Sequence, residues 1–253
     1  MRLPIGLATL TLSLAAPSRP PSRSASAEDM LARSAAAYAA LQSYADDGTV
    51  TSDIPGVTDR YRFRTFFRRQ SHDLFFDWQG VSSYTAAVHF TTDLRGHHTV
   101  IWMVNSDMQK YDAETGAVDQ YPAGSNQTMV LTLASSYTRG VSTLIPSLLY
   151  TKADLLSTLR QIQEIRDDGR DVVDGQPCRR LVGVAADQYA RTGRVLNVRQ
   201  LSIWIDEHSL LIRKFVEEAP ADAGSPRRLT ILLHPEANPT LTDDKFQFKV
   251  PRR

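Results

Sequence analysis

The sequence has a single cysteine, almost no net charge and no long hydrophobic run beyond its first residues. Cys178 has no second cysteine to pair with, so an intrachain disulfide is excluded. The 253 residues include 29 basic and 28 acidic side chains, and this balance gives no electrostatic reason to expect nucleic acid as a partner. With 42% hydrophobic residues, the chain can form one domain with a substantial core.

The first 27 residues have the composition of a secretory signal peptide. A short positive start precedes an uncharged apolar run over 3–16, and a small polar stretch ends in an A-x-A sequence at 25–27. The apolar run is shorter than the roughly 20 residues that cross a bilayer, which disfavours a membrane anchor. We expect cleavage after Ala27, with Ala16 as the alternative site, and a mature domain over 28–253.

Export changes the charge expected of the functional chain. Cleavage after Ala27 removes three of the 29 basic residues and none of the 28 acidic ones, which leaves a net charge of −2. The leader contains no cysteine that could be lipid-modified, so we expect no lipid anchor. No later apolar run reaches membrane-spanning length. We therefore expect a soluble, monomeric periplasmic protein.

The mature chain begins with a helical pattern and continues with strand patterns. Leu31, Tyr38 and their neighbours recur at helical spacing and predict a helix over 28–42. Residues 60–78 alternate between polar and apolar side chains around a turn, which predicts an antiparallel hairpin with one wet and one dry face. Further strand patterns lie at 84–90, 100–104, 109–112, 117–121, 162–166, 178–186, 198–206, 210–217, 228–234 and 246–251.

A helical block over 125–159 interrupts the strands. No long linker divides the strands into two groups, which favours a single domain. An antiparallel sheet closes its core against a second sheet or against helices. The pattern therefore predicts a mainly β fold with helices, an open (half-closed) antiparallel β-barrel of about eleven strands under a helical lid.

Four parts of the sequence together resemble the periplasmic lipoprotein-carrier (LolA/LolB-like) superfamily. They are 67–78, Trp102 with Tyr111, 201–206 followed by 211–214, and 244–251. Within the superfamily, the chain is more similar to the branch of predicted periplasmic proteins that share the fold than to the carriers themselves. The resemblance implies an unclosed barrel whose concave apolar face holds acyl chains beneath helices. It also implies a membrane-bound donor or acceptor protein as a partner.

The resemblance further implies a role for Arg69. In the carriers, the corresponding hairpin turn contains an arginine followed by proline, and the arginine contacts the lid. Arg69 occupies the position of that arginine, and Gln70 stands where proline is usual. Arg69 is therefore the implied lid contact, with a departure from the carrier pattern at the next residue.

The dry face of the hairpin supplies half of the candidate ligand-binding residues. Each apolar side chain there either packs on helices as core or lines a cavity that an acyl chain enters. Burial of one methylene contributes about 0.8 kcal/mol, so about ten methylenes would gain roughly 8 kcal/mol without any polar contact. The candidates on strands are Phe63, Phe67, Leu74, Phe76, Trp78 and Trp102, and those in the lid are Met129, Leu133, Leu144 and Leu148.

The wet face of the same hairpin has a stripe of arginines at positions 60, 62, 64 and 68. One interpretation is a docking face for anionic headgroups or for an acidic partner. The other is a solvated strand face that discourages edge pairing, and we favour this second interpretation.

Patterns that indicate catalysis or metal binding are few. Metalloprotease, serine-hydrolase and phosphate-loop motifs are absent, and His97 and His98 would point to opposite faces of a strand. Residues 206–208 (Asp-Glu-His) suit acid-base chemistry, but a hairpin turn needs polar residues for its own structure. We expect no catalytic residue, no metal site and no cofactor, and we expect Cys178 to be a packed thiol.

Two functions fit these observations better than an enzyme acting on envelope lipid. The first is a soluble periplasmic protein that binds lipid or lipoprotein acyl chains in an apolar cavity and transports them between envelope membranes. The alternative is a periplasmic sensor or interaction module that regulates an envelope response through the same concave face. A carrier must release its ligand to an acceptor membrane, whereas a sensor must change its binding to a signalling protein when loaded.

Overall fold

The part of the chain that the structure describes is a helix and a large antiparallel sheet. The computed structural model describes residues 26–54, 57–81, 97–105, 107–121, 148–149, 162–188, 195–219 and 227–251. The predicted strand over 84–90 lies outside these ranges, and so does the predicted helical block except Leu148 and Leu149. The lid candidates Met129, Leu133 and Leu144 therefore lie outside the described residues.

Helix α1 (Ala27–Ala40) confirms the helix that the sequence predicts over 28–42. In the uncleaved chain its start is fixed by a capping box, because the Ser26 hydroxyl accepts a hydrogen bond from the backbone N–H of Asp29 at 3.1 Å. The Asp29 carboxylate in turn accepts the backbone N–H of Ser26 at 3.3 Å. The inward side of the helix buries Tyr38 completely, and its hydroxyl accepts the backbone N–H of Ile212 at 3.1 Å. The helix is thus attached directly to the sheet.

Eleven strands form one continuous antiparallel path in the order β6-β5-β4-β3-β2-β1-β11-β10-β9-β8-β7, and a short β12 pairs with the start of β1. In the described part of the chain, β6 and β7 each pair on one side only, so the sheet is not closed into a barrel. The mainly β fold is confirmed, and the open sheet is consistent with a half-open barrel. The strands are β1 Ser43–Ile54, β2 Val57–Arg68, β3 Asp73–Val81, β4 His97–Val104, β5 Asp107–Asp112, β6 Ala117–Tyr121, β7 Ile162–Val173, β8 Gln176–Gln188, β9 Val195–Asp206, β10 Ile212–Ala219, β11 Arg227–Leu233 and β12 Glu236–Ala237.

The last predicted strand, over 246–251, is wrong. A 3₁₀ turn (Asp243–Phe246) is followed by extended residues that join no strand in the described chain. Phe246 is buried, and Phe248 is partly buried against the same cluster on the sheet. An alternating pattern indicates an extended backbone, but ladder pairing also needs a free edge. The central strands beneath this segment are already paired on both sides.

The two faces of the sheet pack differently. The inner face is the one that contacts α1, and its buried cluster includes Tyr38 of the helix together with Leu148 and Leu149. The outer face carries two smaller clusters, one around Phe246 and one around Cys178. Cys178 is fully buried, and burial raises the pKa of its thiol to about 11. The prediction of a packed thiol is confirmed.

Candidate functional site

Five of the predicted ligand-binding side chains come together on the inner face. Phe63 and Phe67 of β2 lie beside Leu74, Phe76 and Trp78 of β3, and none of the five is more than 7% exposed. The register places Phe63 opposite Trp78 and Phe67 opposite Leu74. Directly paired residues of antiparallel strands share a face. The alternation in the sequence therefore placed these side chains on one surface.

Four aromatic rings form a continuous layer on this face. Tyr61 stacks on Trp78 with ring centroids 4.7 Å apart, and Phe63 stacks on Phe76 at 6.2 Å. Phe63 and Phe76 each lie 6.5 Å from Trp78. Stacked aromatic pairs are stabilised beyond their buried area. We call Tyr61, Phe63, Phe76 and Trp78 the aromatic surface.

Two glycines allow the rings of β2 to lie flat on neighbouring strands. A Cβ on Gly48 would lie 2.3 Å from the Cζ of Phe63, and one on Gly80 would lie 2.1 Å from the Cδ1 of Tyr61. Both distances are far shorter than van der Waals contact. Each glycine is therefore the residue that permits its ring to lie over the backbone, as glycine in a strand often does.

Three polar atoms of uncharged side chains on the inner face are buried without a hydrogen-bond partner among the described residues. They are Trp78 Nε1, Thr65 Oγ1 and Ser52 Oγ. Thr65 is paired with Phe76, and Ser52 is paired with Leu229 of the inner cluster. Buried polar groups are hydrogen-bonded in the large majority of cases, and exceptions mark places where a bound molecule or an ordered water can sit.

A buried carboxyl lies on the same face, near α1. Asp46 is 3% exposed; its Oδ2 accepts the Tyr44 hydroxyl at 2.9 Å and its Oδ1 accepts the backbone N–H of His234 at 2.9 Å. Burial raises the pKa of Asp46 from its ordinary 3.8 to about 7, although both hydrogen bonds act in the opposite direction. Asp46 is thus a group that gains and loses its proton near neutral pH.

Arg69 binds the C-terminal end of α1 to the β2–β3 turn. Its Nε donates to the carbonyl oxygen of Leu41 at 2.5 Å, and its Nη2 donates to that of Tyr38 at 3.0 Å. The last carbonyls of a helix lack partners within the helix and form its negative end, so a cation is favoured there. Arg69 therefore contacts a helix, and in the described chain this helix is α1 rather than the predicted lid block.

The two remaining described candidates occupy different faces. Leu148 is 3% exposed and belongs to the inner cluster. Trp102 lies on the outer face, with its ring centroid 5.2 Å from that of Phe248. On β4, Ile101 and Met103 point inward instead. Residues 100–104 are apolar at every position, so alternation could not decide which side chains of this strand face inward.

A group of three charged side chains on the inner face was not predicted from the sequence. Glu217 of β10 is 6% exposed. Its Oε1 accepts Arg227 Nη2 at 2.6 Å, and its Oε2 accepts Arg199 Nη1 at 3.2 Å. The available signal was charge at inward positions of alternating strands, as in Phe215 followed two residues later by Glu217. We call Arg199, Glu217 and Arg227 the charged cluster.

The arginine stripe lies on the outer face, and its members at positions 60, 62 and 64 are exposed. The stripe is thus a solvated strand face, as favoured from the sequence, but β2 is paired on both sides, so the expected role in discouraging edge pairing is wrong. In the strand register, Arg64 lies opposite Asp47 of β1 and opposite Asp77 of β3. A groove of about 480 Å³ on this face is lined by basic and acidic side chains, among them Arg62 and Asp77.

The acid-base residues at 206–208 serve the β9–β10 turn. Asp206 Oδ1 accepts the backbone N–H groups of His208 and Ser209, and its Oδ2 accepts Arg213 Nε at 2.7 Å. Burial alone would raise the pKa of Asp206, but these hydrogen bonds hold it below its ordinary value. Within the described ranges, no group of three or more potential ligands could hold a metal ion. No described helix is long and apolar enough to cross a membrane.

Comparison with protein families gives a match over residues 87–253 to DUF2092, described as a predicted periplasmic protein. The chain belongs to the DUF2092 family. This description agrees with the periplasmic location expected from the sequence, while the finer resemblance to the LolA/LolB carriers stays a prediction. A search of curated proteins gave no match.

Several solved structures are similar to this chain, all at low sequence identity. A chain of the Pseudomonas aeruginosa MucA/MucB complex is 16% identical, with 88% of this chain and 61% of that chain covered and a TM-score of 0.46. LprF from Mycobacterium bovis is 13% identical, with 89% of this chain and 96% of LprF covered and a TM-score of 0.46. The lipoprotein LppX from Mycobacterium tuberculosis is 13% identical, with 84% of this chain and 97% of LppX covered and a TM-score of 0.43. This chain spans less than two thirds of the Pseudomonas chain, and similarity at this level does not assign a function.

Proposed function

We propose that this protein binds the acyl chains of lipids or lipoproteins on the inner face of its sheet, beside α1. The observation that carries the proposal is the aromatic surface. Four stacked rings lie on a sheet whose two edge strands each pair on one side only in the described chain, and one of the rings has a buried N–H without a partner. The proposal involves binding and no chemical step.

The chemistry of this face suits an acyl chain with a polar group near it. About ten buried methylenes would gain roughly 8 kcal/mol before ordering costs, so this contact alone sets an upper limit of about micromolar affinity. The indole N–H of Trp78 is a donor only. The ligand atom that it would meet is therefore an acceptor, such as the carbonyl oxygen of an ester or amide-linked acyl chain.

The proposal includes movement of the ligand between the two membranes that border the periplasm. A protein that holds acyl chains in that compartment shields them from water, and a membrane-bound donor or acceptor protein would load or unload it. Transfer is measured by mixing lipid-loaded protein with acceptor vesicles and following release of a fluorescent lipid. Retention of the lipid in the presence of acceptor vesicles and envelope membranes would instead favour the sensor function.

Binding is tested with two adjacent residues of β3 that face opposite sides. Phe76 is 2% exposed on the inner face, and Phe75 is 9% exposed on the outer face. We expect Phe76→Leu to weaken uptake of a fluorescent fatty acid about tenfold, equivalent to a loss of about 1.4 kcal/mol of contact with the chain. Phe75→Leu removes the same ring from the other face and should leave affinity unchanged. Equal effects of the two variants would contradict binding on the inner face.

The natural ligand is sought by purifying the exported protein without detergent and weighing it intact. Organic extraction and mass spectrometry of the extract then identify any bound molecule. We expect a lipid that contains at least one acyl chain. A ligand-free mass together with no uptake of fluorescent fatty acid would refute the proposed function.

A further inference from the structure

The inner face changes from apolar to charged as it runs away from α1. The helix contacts the start of β10 at Ile212, and Glu217 of the charged cluster lies five residues further along the strand. Five strand residues span about 17 Å. Arg227 and Glu217 share this face with apolar side chains such as Leu229 and Ile231. The charged cluster therefore lies at the end of this face away from α1, whereas Asp46 and Arg69 are the ionisable groups at the α1 end.

Arg227 has hydrogen-bonding capacity beyond its contact with Glu217. A guanidinium has five N–H donors, and the contacts of Arg227 with described residues use one of them, from Nη2 to Glu217 Oε1. The side chain is 26% exposed, so it is reachable from solvent and also borders the apolar face. The second oxygen of Glu217 is occupied by Arg199, which fixes the carboxylate and, through it, the guanidinium of Arg227.

Ser52 supplies a second donor close to Arg227. Its hydroxyl is buried and has no partner among the described residues. Ser52 pairs with Leu229, so Arg227, two residues before Leu229 on the same strand, is its diagonal neighbour on the same face. Diagonal neighbours lie about 7–8 Å apart, within reach of a long side chain. A small anion between the two would accept from both, on the side of Ser52 away from Asp59, the buried acid of β2 that pairs with Ser52.

We propose that Arg227 and Ser52 form the headgroup site for an anionic amphiphile, a molecule with a carboxylate or phosphate monoester and one acyl chain. Glu217 and Arg199 act as positioning residues for Arg227. This inference rests on the proposed acyl-chain binding and names the class of ligand. The fork of N–H groups on an arginine matches both carboxylate and phosphate oxygens, so the two headgroups share one chemistry.

The dimensions of the face agree with this orientation. Ser52 and Tyr44 lie at opposite ends of the inner-facing residues of β1, eight residues and about 27 Å apart. One acyl chain spans about 15 Å, half of the roughly 30 Å hydrocarbon core of a bilayer. A chain that starts at Ser52 therefore covers Tyr61 and reaches Phe63 and Trp78. The headgroup site thus places the tail on the aromatic surface.

The test compares a fluorescent polyene fatty acid with its methyl ester at low salt and pH 7.5. We expect the wild-type protein to bind the acid at least tenfold more tightly than the ester. Arg227→Gln should weaken binding of the acid about tenfold and leave binding of the ester unchanged. The matched control is Arg228→Gln, because Arg228 pairs with Glu218 on the outer face at 3.3 Å and should not affect either ligand.

A second variant and a second pair of ligands test the same site independently. Ser52→Ala removes only a hydroxyl, so it tests the site even if Arg227→Gln does not fold, and we expect about threefold weaker binding of the acid. Dodecyl phosphate should bind at least tenfold more tightly than dodecanol if the site accepts phosphate. Inorganic phosphate alone should bind far more weakly than either amphiphile, and equal affinity would overturn an amphiphile site.

The inference and the proposed function fail in different ways. Equal affinity for acid and ester, with both bound, would refute the headgroup site and leave acyl-chain binding intact. Failure to bind either ligand would refute the proposed function itself. Equal losses in Arg227→Gln and Arg228→Gln would show a general electrostatic effect and would also overturn the headgroup site.

Discussion

Asp46 makes the stability of the protein depend on pH in a direction opposite to that of most carboxylates. Its pKa is about 7 in the folded chain against an ordinary 3.8. Below pH 3.8 the carboxyl is protonated in both the folded and the unfolded chain. Between pH 3.8 and 7 only the unfolded chain releases the proton, so stability falls as pH rises through this window and is constant above it. The perturbation that tests this is Asp46→Asn.

The magnitude follows from the width of the window. Between pH 5 and pH 8, the fall in stability occurs over the two pH units below the folded pKa of about 7. At about 1.4 kcal/mol per pH unit, Asp46 should make the wild-type protein roughly 3 kcal/mol less stable at pH 8 than at pH 5. Asp46→Asn cannot ionise and keeps an oxygen for the backbone N–H of His234, so this component of the pH dependence should vanish.

The assay is urea unfolding followed by circular dichroism at pH 5 and pH 8. The quantity compared is the change in unfolding free energy between the two pH values in wild type and variant, which cancels the contribution of other titrating groups. Asp47→Asn is the matched control, because Asp47 is the next residue in the chain and its side chain is 73% exposed. The reasoning is refuted if Asp46→Asn and wild type show the same pH dependence within about 0.5 kcal/mol, well below the effect worked out from linkage.

Three further predictions concern stability and reactivity. Gly80→Ala should destabilise the fold by about 1–3 kcal/mol, because its Cβ would also meet the carbonyl oxygen of Arg60 at 2.6 Å, and chemical denaturation measures this loss. Arg69→Gln should cost about 1.5–3 kcal/mol per lost charged hydrogen bond and should expose α1 to proteolysis, whereas Arg62→Gln on the outer face should do neither. Cys178 should react with a thiol reagent only as fast as the protein unfolds, because the thiol is fully buried and its pKa is raised, and rapid labelling of the native protein would contradict this.

The parts of the fold that follow from local periodicity could be predicted from the sequence. The β2–β3 hairpin alternates strictly enough to predict Phe63, Phe76 and Trp78 on one face, and the strand register confirms this. The start of α1 likewise lies within a residue of the prediction. Both depend on the spacing of side chains along one segment, which is visible in the sequence.

Features that depend on which strands become neighbours could not be predicted. The charged cluster needs β9, β10 and β11 side by side, and only their pairing brings Arg199 and Arg227 to one carboxylate. The position of β2 in the middle of the sheet decided the meaning of the arginine stripe. The final segment resembled a strand because Phe246 and Phe248 alternate, but no strand edge was free beneath it. Strand order is a long-range property that periodicity does not encode.

Contact between an acyl chain and the inner face can be measured directly, because the sequence has three tryptophans on different faces. Trp78 is inward, whereas Trp102 and Trp204 belong to the outer clusters. A brominated fatty acid quenches tryptophan fluorescence only on contact. We predict strong quenching in the variant that retains Trp78 alone, with phenylalanine at the other two positions, and none in the variant that retains Trp204 alone. Quenching of Trp204 equal to that of Trp78, or bound fatty acid without quenching of Trp78, would contradict binding on the aromatic surface.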